Sequence, residues 1–222
     1  MPSAIVLFAK APIAGNVKTR LQPPLSANAA SELHLAFVLD FWERLQKITN
    51  ASIYLFCDRS WPQGNEPASR ERCGLQSGGD LGERMLYCFQ EILGRGYKRV
   101  LIVGSDSPTL PLSYLESGLE KLRYSDAVLG PSNDGGYYAI GCCQVKPRMF
   151  EKIHWSSVRT REETDRAFAR EGIQRELLPE WYDIDTTEDL RRLAIELDLL
   201  PEKILPRTRA WFEYQRASNV SV

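Results

Sequence analysis

Apolar positions fall in two rhythms along the chain. Ala4–Phe8 is an unbroken apolar run of strand length, the pattern of a strand covered on both faces. After a loop, Ser26 is placed to cap a helix. Leu33, Phe37, Phe41, Leu45 and Ile48 recur along it at spacings of three or four and form one apolar stripe. Ala51–Cys57 reads as the next strand, and Asp58–Arg72, polar and broken by Pro62, Gly64 and Pro67, as a loop. A short strand is expected at Cys73–Gln76. Asp80 then caps a second helix with Leu81, Met85, Phe89 and Ile92 on one face and Gly94 and Gly96 near its end.

The alternation continues. Arg99–Val103 reads as a strand, Gly104–Pro111 as a loop, and the segment to about Arg123 as a helix. Ala127–Leu129 and Tyr137–Gly141 are two further strands, Thr160–Glu171 a helix and Ile173–Leu178 a last strand. Thr186–Leu199 reads as a helix whose first turn carries Glu188 and Asp189, suited to the positive end of its dipole. The segment from Pro201 to Arg216, polar with scattered aromatics, reads as a surface helix with a frayed end. No repeat or low-complexity linker interrupts the order, so one domain is expected.

Strand–helix–strand order of this kind predicts a mainly parallel sheet with helices on both faces, a three-layer α/β sandwich. In such sheets ligands bind beyond the carboxyl ends of the strands. The loops after Ala9, Gln76, Val103 and Leu129 are therefore where chemistry is expected.

Bulk properties narrow the class. The chain has 222 residues, a net charge of −1 and a pI near 6.2. It carries no broad cationic footprint for nucleic acid, so phosphate must be bound locally. No apolar run approaches the ~18 residues that span a membrane, and the N-terminus lacks the basic region of a signal peptide. A cytoplasmic protein is expected. Cys57, Cys73, Cys88, Cys142 and Cys143 form no CxxC pair and read as reduced, small hydrophobes rather than a zinc site or disulfide set.

Five loops carry candidate chemistry, each with a plain structural alternative. In Lys10–Arg20, Gly15 allows close backbone approach, while Lys18, Arg20 and the Thr19 hydroxyl suit a polyphosphate. The alternative is a solvated basic turn. Asn16-Val17 separates Gly15 from Lys18, so this is not a Walker A loop. In Gly104–Leu110, Asp106 is either a magnesium ligand or a cap for the helix starting near Pro111. Asp134, Gly135 and Gly136 form either a site for a sugar, a ribose or a metal-bound water, or a tight hairpin turn. Asp183 and Asp185 face one side of an extended segment, and either is a second metal candidate. The alternative is capping by Asp185 or Thr186. In Gln76–Met85, the Gln76 amide suits a base edge, and Arg84 is a phosphate contact or a surface charge.

These motifs occur together and in order. They run Phe8-Ala9-Lys10-Ala11-Pro12 with Gly15 and Lys18-Thr19-Arg20-Leu21, then Gln76 with Gly79-Asp80-Leu81-Gly82-Glu83-Arg84-Met85. Gly104-Ser105-Asp106-Ser107-Pro108, Asp134-Gly135-Gly136-Tyr137-Tyr138 and Asp183-Ile184-Asp185-Thr186 follow. Over about residues 4–195 the chain resembles the small glycosyltransferase-like family of the nucleotide-diphospho-sugar transferase superfamily, the arsenosugar-biosynthesis or radical-SAM-associated transferases. It is more distantly similar to 2-phospholactate and molybdenum-cofactor guanylyltransferases. The resemblance implies a GT-A-type fold with a mixed, mainly parallel sheet of about seven strands. It also implies Mg2+ (or Mn2+) on Asp106 and Asp185. Nucleotide and phosphate contacts are expected from Ala9, Gly15, Lys18, Thr19, Arg20, Gln76 and Asp80, and acceptor or sugar contacts from Asp134, Gly135 and Gly136. Lys18, Asp106 and Asp134 are the expected catalytic residues. The Asp-x-Asp common at the metal loop of sugar transferases is replaced here by Ser105-Asp106-Ser107-Pro108, closer to the guanylyltransferases.

Two reactions compete, with a non-catalytic nucleotide-binding protein as a third reading. A phosphorylated small molecule attacking the α-phosphate of a nucleoside triphosphate is already ionised near neutrality, its second pKa being about 6, and needs no strong base. A hydroxyl acceptor attacking a nucleotide-diphospho-sugar needs one, and Asp134 is the available group. His34 and His154 read as structural. Nucleotidyl transfer is the preferred expectation.

Overall fold

The computed structural model describes residues 1–62 and 66–217; Gly64 of the expected loop lies outside them. Seven strands form one sheet: β1 (Ser3–Ala9), β2 (Ser52–Cys57), β3 (Cys73–Leu75), β4 (Arg99–Gly104), β5 (Ala127–Pro131), β6 (Tyr137–Cys142) and β7 (Arg175–Leu177). Their spatial order is β3-β2-β1-β4-β6-β5-β7. All pairings are parallel except those of β6, which runs antiparallel to both β4 and β5. The helices are α1 (Ala27–Leu45), α2 (Leu81–Gly94), α3 (Leu112–Lys121), α4 (Thr160–Arg170), α5 (Thr187–Leu199) and α6 (Pro206–Ala217).

The unbroken apolar run at the N-terminus is explained by burial on both faces. Ala4, Val6, Val100 and Ile102 pack with Phe89, Ile92 and Phe168 of α2 and α4. Ile5, Leu7, Leu101 and Val103 pack on the opposite face with Phe41, Leu115 and Leu119 of α1 and α3. A polar side chain at any of these positions would lose its water on either face. The five cysteines are all free, and burial pushes the Cys57 thiol up to about 12, so it stays protonated and inert.

The α1 stripe divides. Phe41 and Leu45, with Ile48 just beyond the end of the helix, face the sheet, whereas Leu33 and Phe37 turn to a third core with Leu190, Leu193 and Leu197 of α5 and Trp211 and Phe212 of α6. The C-terminal helix is therefore not a surface appendage. It buries two aromatic rings, and the Trp211 indole donates to the Ala29 carbonyl at 3.1 Å. Asp40 of α1, fully buried, accepts from the Arg207 and Thr208 backbone N–H groups at the start of α6 and from the Thr208 hydroxyl. A carboxylate meeting free N–H groups at a helix N-terminus is stabilising twice over, by hydrogen bonds and by the dipole. Asp40→Asn keeps the shape, removes the charge and turns half the acceptor into a donor. We expect a loss of about 1–3 kcal/mol, read by urea denaturation, with α6 becoming the first site of proteolysis. Wild-type stability would refute the docking role.

Among the described residues no helix is long and apolar enough to cross a membrane.

Candidate active site

The chain winds outward from β1 to β2 and β3, then returns to lay β4 on the other side of β1. This reversal leaves a crevice between the carboxyl ends of β1 and β4, where neighbouring loops diverge and a ligand fits. Along the same edge, Gln76 follows β3, Asp58 follows β2, Lys10 follows β1 and Asp106 follows β4. Antiparallel β6 begins there at Tyr137, just after Asp134 and Gly136. From Gln76 to Asp134 is four strand spacings, roughly 19 Å at ~4.8 Å each. A cleft of about 690 Å³ opens over this row. It is long enough for a nucleotide and a second small molecule.

At its centre lies a charge cluster. The Lys18 side chain is only 3% exposed. Its ammonium is ion-paired with Asp106, donates to the Ile184 carbonyl at 2.6 Å and reaches Asp185 at 3.4 Å. Burial alone would push this lysine down, but Asp106, Asp185 and Asp183 more than offset it and hold its pKa above the ordinary range. Burial likewise works to raise Asp106, but Lys18 holds its carboxyl below the usual range. Asp106 does not cap a helix: Pro111 stands at the α3 N-cap with no side-chain bond. Lys18, being buried, is therefore not the cation of a solvated basic turn. Lys18 adopts a left-handed backbone, φ 47°, that turns its side chain inward over Phe37. Arg20 is exposed and lies 3.4 Å from Asp185.

Asp183 is the odd member. Burial, with Asp106 next, raises its carboxyl to about 7, although Ser107 donates a hydrogen bond to it. The folded state thus holds a proton that the unfolded chain releases at its ordinary value of 3.8. This group's contribution to stability is complete below that value and is lost as pH rises towards about 7. In chelator, Asp183→Asn should match wild type below about pH 4 and melt at least about 2 °C higher at pH 8. A wild-type melting curve at pH 8 would contradict it.

The remaining candidates are placed as follows. Ala9, Thr19, Arg20, Gln76, Asp80, Asp134 and Gly136 line the cleft, as do Lys18, Asp106 and Asp185. Gly15 has φ 81° but stands in open solvent away from the lining, and Gly135 sits against the backbone of Val158 instead. Asp80 caps α2 by accepting from the Glu83 N–H at 2.8 Å. The Gln76 amide nitrogen is committed to the carbonyls of Ala9 and Phe56, both at 3.0 Å, so only its oxygen remains to read a base. Asp134 accepts from Ser132 Oγ and from the Gly136 N–H at 2.9 Å, stabilising its own turn. Thr186 caps α5 with Asp189, which leaves Asp185 free of that task.

Sequence reasoning missed four contributors. Asp58 accepts from the Ala11 N–H at 2.7 Å and pins the start of the phosphate loop. His34, read as purely structural, lies in the cleft wall with Nε2 2.9 Å from the Lys10 carbonyl. A carbonyl only accepts, so Nε2 carries the hydrogen, and burial keeps the ring neutral by lowering its pKa. Trp155 and Ser156 line the far end. A tryptophan beside two serines in a polar segment was the available signal.

The donor set fits a hard cation. Asp106, Asp183 and Asp185 set three carboxyl groups against one buried ammonium. Among the described residues no three His, Cys, Asp or Glu side chains converge as a closed metal site. Magnesium that completes its shell with substrate phosphate oxygens needs only one or two carboxylates, a number that Asp106 and Asp185 would provide.

Comparison with known proteins agrees with this architecture. A family model described as an uncharacterized protein conserved in bacteria (DUF2064) matches residues 41–157. A Desulfovibrio desulfuricans G20 protein, described as a candidate nucleotide-diphospho-sugar transferase, is 31% identical over 98% of this chain and 96% of its own, with a TM-score of 0.88. CMP:2-keto-3-deoxy-manno-octonic acid synthetase complexed with CTP is 10% identical, covering 90% of this chain and 100% of its own at a TM-score of 0.57. The 4-diphosphocytidyl-2C-methyl-D-erythritol synthase of Anaerococcus prevotii DSM 20548 is 13% identical, covering 88% and 99% at 0.55. These last two share the fold alone. Among curated proteins none matches.

Proposed function

This chain belongs to the family described as an uncharacterized protein conserved in bacteria (DUF2064), and we propose that it is a magnesium-dependent transferase acting on a nucleotide-activated donor. The observation that carries the reading is the cluster of Lys18, Asp106 and Asp185 at the β1–β4 crevice, in the middle of a cleft long enough for two substrates. Lys18, Arg20 and the exposed amides of their loop take the donor phosphates, and Gln76 presents an acceptor oxygen to the base. Asp106 and Asp185 would hold magnesium, which would supply positive charge against the departing phosphate group.

Nucleotidyl transfer to a phosphorylated small molecule is the preferred chemistry. An oxygen of the acceptor phosphate bonds to the donor α-phosphorus, the bond from that phosphorus to the β-phosphate bridge breaks, and pyrophosphate leaves with the electron pair. No proton has to be removed from the nucleophile, so the step asks for positioning and charge stabilisation. The acceptor end of the cleft supports this reading because Asp134, the base candidate there, has Oδ1 committed to Ser132 and Gly136 and offers only its outer oxygen. Glycosyl transfer from a nucleotide-diphospho-sugar is the second reading, favoured by the name given to the 31% identical protein.

Thermal shift with the four nucleoside triphosphates and with nucleotide sugars, each with and without Mg2+, identifies the donor. Turnover then separates the reactions: pyrophosphate release supports nucleotidyl transfer, and nucleoside diphosphate release supports glycosyl transfer. Magnesium-dependent binding without either product would make the chain a nucleotide-binding protein, and no binding at all would end the proposal.

A further inference from the structure

Three walls close the end of the cleft beyond β4, and they are locked together by two contacts that leave no room for a side chain. Trp155 lies so tightly on Gly82 of α2 that a Cβ there would sit 2.4 Å from its ring. Val158 lies so tightly on Gly135 of the β5–β6 turn that a Cβ would sit 2.2 Å from its carbonyl oxygen. Arg161 N–H also donates to the Gly135 carbonyl at 3.0 Å. The segment between these clamps is anchored from behind. The Ser157 and Thr160 hydroxyls donate to the His154 carbonyl, and His154 N–H donates to Glu163 of α4. At its apex, Ser156 is held at φ 56°, a conformation costly for any residue but glycine. Ser156 is exposed and lines the cleft.

Strain sustained by this much surrounding structure aims a residue. Arg84, in the first turn of α2 two residues after Gly82, lines the same cleft. Its Nε donates to the Gly78 carbonyl at 3.2 Å, which fixes the guanidinium plane. Among the described residues no carboxylate pairs with it, in contrast to Lys18 and Arg20. A planar cation that is oriented but unpaired suits a phosphate, which it grips through two parallel N–H groups.

We infer that Arg84 and the Trp155–Ser156 apex form the acceptor subsite, and that the acceptor is a small phosphorylated polyol. Arg84 takes the phosphate, Ser156 and the outer oxygen of Asp134 take hydroxyls, and the Trp155 ring covers the carbon chain. The inference deepens the nucleotidyl-transfer reading and rests on it for the word acceptor. The anion subsite itself stands on the geometry. In that reading Arg84 turns the acceptor phosphate towards the donor bound at Lys18 and Asp106.

The test needs neither natural substrate. Glycerol 3-phosphate, inorganic phosphate and glycerol are titrated calorimetrically into the full chain in Mg2+ and saturating pyrophosphate, which fills the Lys18 end of the cleft. Wild type should bind glycerol 3-phosphate most tightly and glycerol most weakly. Arg84→Gln should weaken glycerol 3-phosphate about tenfold or more, as loss of a charge-assisted pair does, with pyrophosphate affinity within twofold of wild type. Ser156→Ala should weaken glycerol 3-phosphate roughly threefold to tenfold and inorganic phosphate not at all. Arg84→Gln retaining glycerol 3-phosphate, or losing pyrophosphate equally, would overturn the subsite, as would a wild type that binds no glycerol 3-phosphate. A wild type that binds pyrophosphate and glycerol 3-phosphate but no nucleotide would leave the subsite standing and remove the donor reading instead.

Discussion

Asp106→Asn should reduce magnesium-dependent turnover at least about a hundredfold, the range lost with one strong transition-state contact, while the melting temperature moves by no more than a few degrees. The two halves of this expectation have separate causes. Stability is protected because the substitution removes one partner of Lys18 and leaves two, the Ile184 carbonyl at 2.6 Å and Asp185 at 3.4 Å. It also removes a negative charge that raises Asp183, so a lost attraction and a lost repulsion oppose each other. The backbone bond from Ile184 N–H to the Asp106 carbonyl is untouched. Turnover has no such compensation, because an amide oxygen is a poor ligand for a hard cation and carries no charge to balance the phosphates. Raising Mg2+ from about 1 to about 20 mM should recover part of the rate in the variant and none in wild type. An active Asp106→Asn enzyme with wild-type magnesium dependence would move the metal to Asp183 and Asp185 and leave Asp106 as the partner of Lys18.

What the sequence disclosed, it disclosed through burial. Strands β1 and β4 are covered on both faces, so their apolar runs are unbroken, and the strand–helix alternation follows them to the parallel sheet. The crevice followed too, since loops at strand ends carry Lys18, Gln76, Asp106 and Asp134 by position alone. Direction and partnership were not written locally. Nothing in Tyr137–Cys142 marks it as antiparallel, because a strand flanked by β4 and β5 buries the same residues either way. Trp211 and Phe212 looked like scattered aromatics among arginines because the surface they fill, Leu33 and Phe37 on the outer side of α1, lies about 175 residues earlier in the chain. Lys18 looked like a loop cation for the same reason. Its three carboxyl partners come from two other loops, and only their convergence makes burial of an ammonium tolerable. At Asp134 the turn reading holds, since the carboxylate closes its own turn, and the residue also lines the cleft.

Lys18→Ala and Arg20→Ala should therefore part company, although they are two positions apart in one loop. Both should weaken Mg2+–nucleotide binding about tenfold or more, because each loses a charge-assisted phosphate contact of roughly 1.5–3 kcal/mol. Only Lys18→Ala should destabilise the fold. Its ammonium is the buried counter-charge for Asp106, Asp185 and Asp183; because the Asp106 and Asp185 side chains are 46% and 37% exposed, water takes over part of their solvation, and the loss falls below the about 3–5 kcal/mol of a fully buried pair. Arg20 is 68% exposed and its contact with Asp185 is long, so its removal costs about 1 kcal/mol at most. Lys18→Met separates charge from packing. The thioether fills the space of the lysine stem over Phe37 but leaves the carboxylates without a cation. If the cavity were the cause, Met would restore stability; if the charge is the cause, Met should be as unstable as Ala at pH 8, and both should recover on mild acidification as the carboxyls take up protons. Urea midpoints of the four proteins at pH 5 and pH 8 decide the matter, and a stable Lys18→Met at pH 8 would show that the ion cluster does not hold the two loops together.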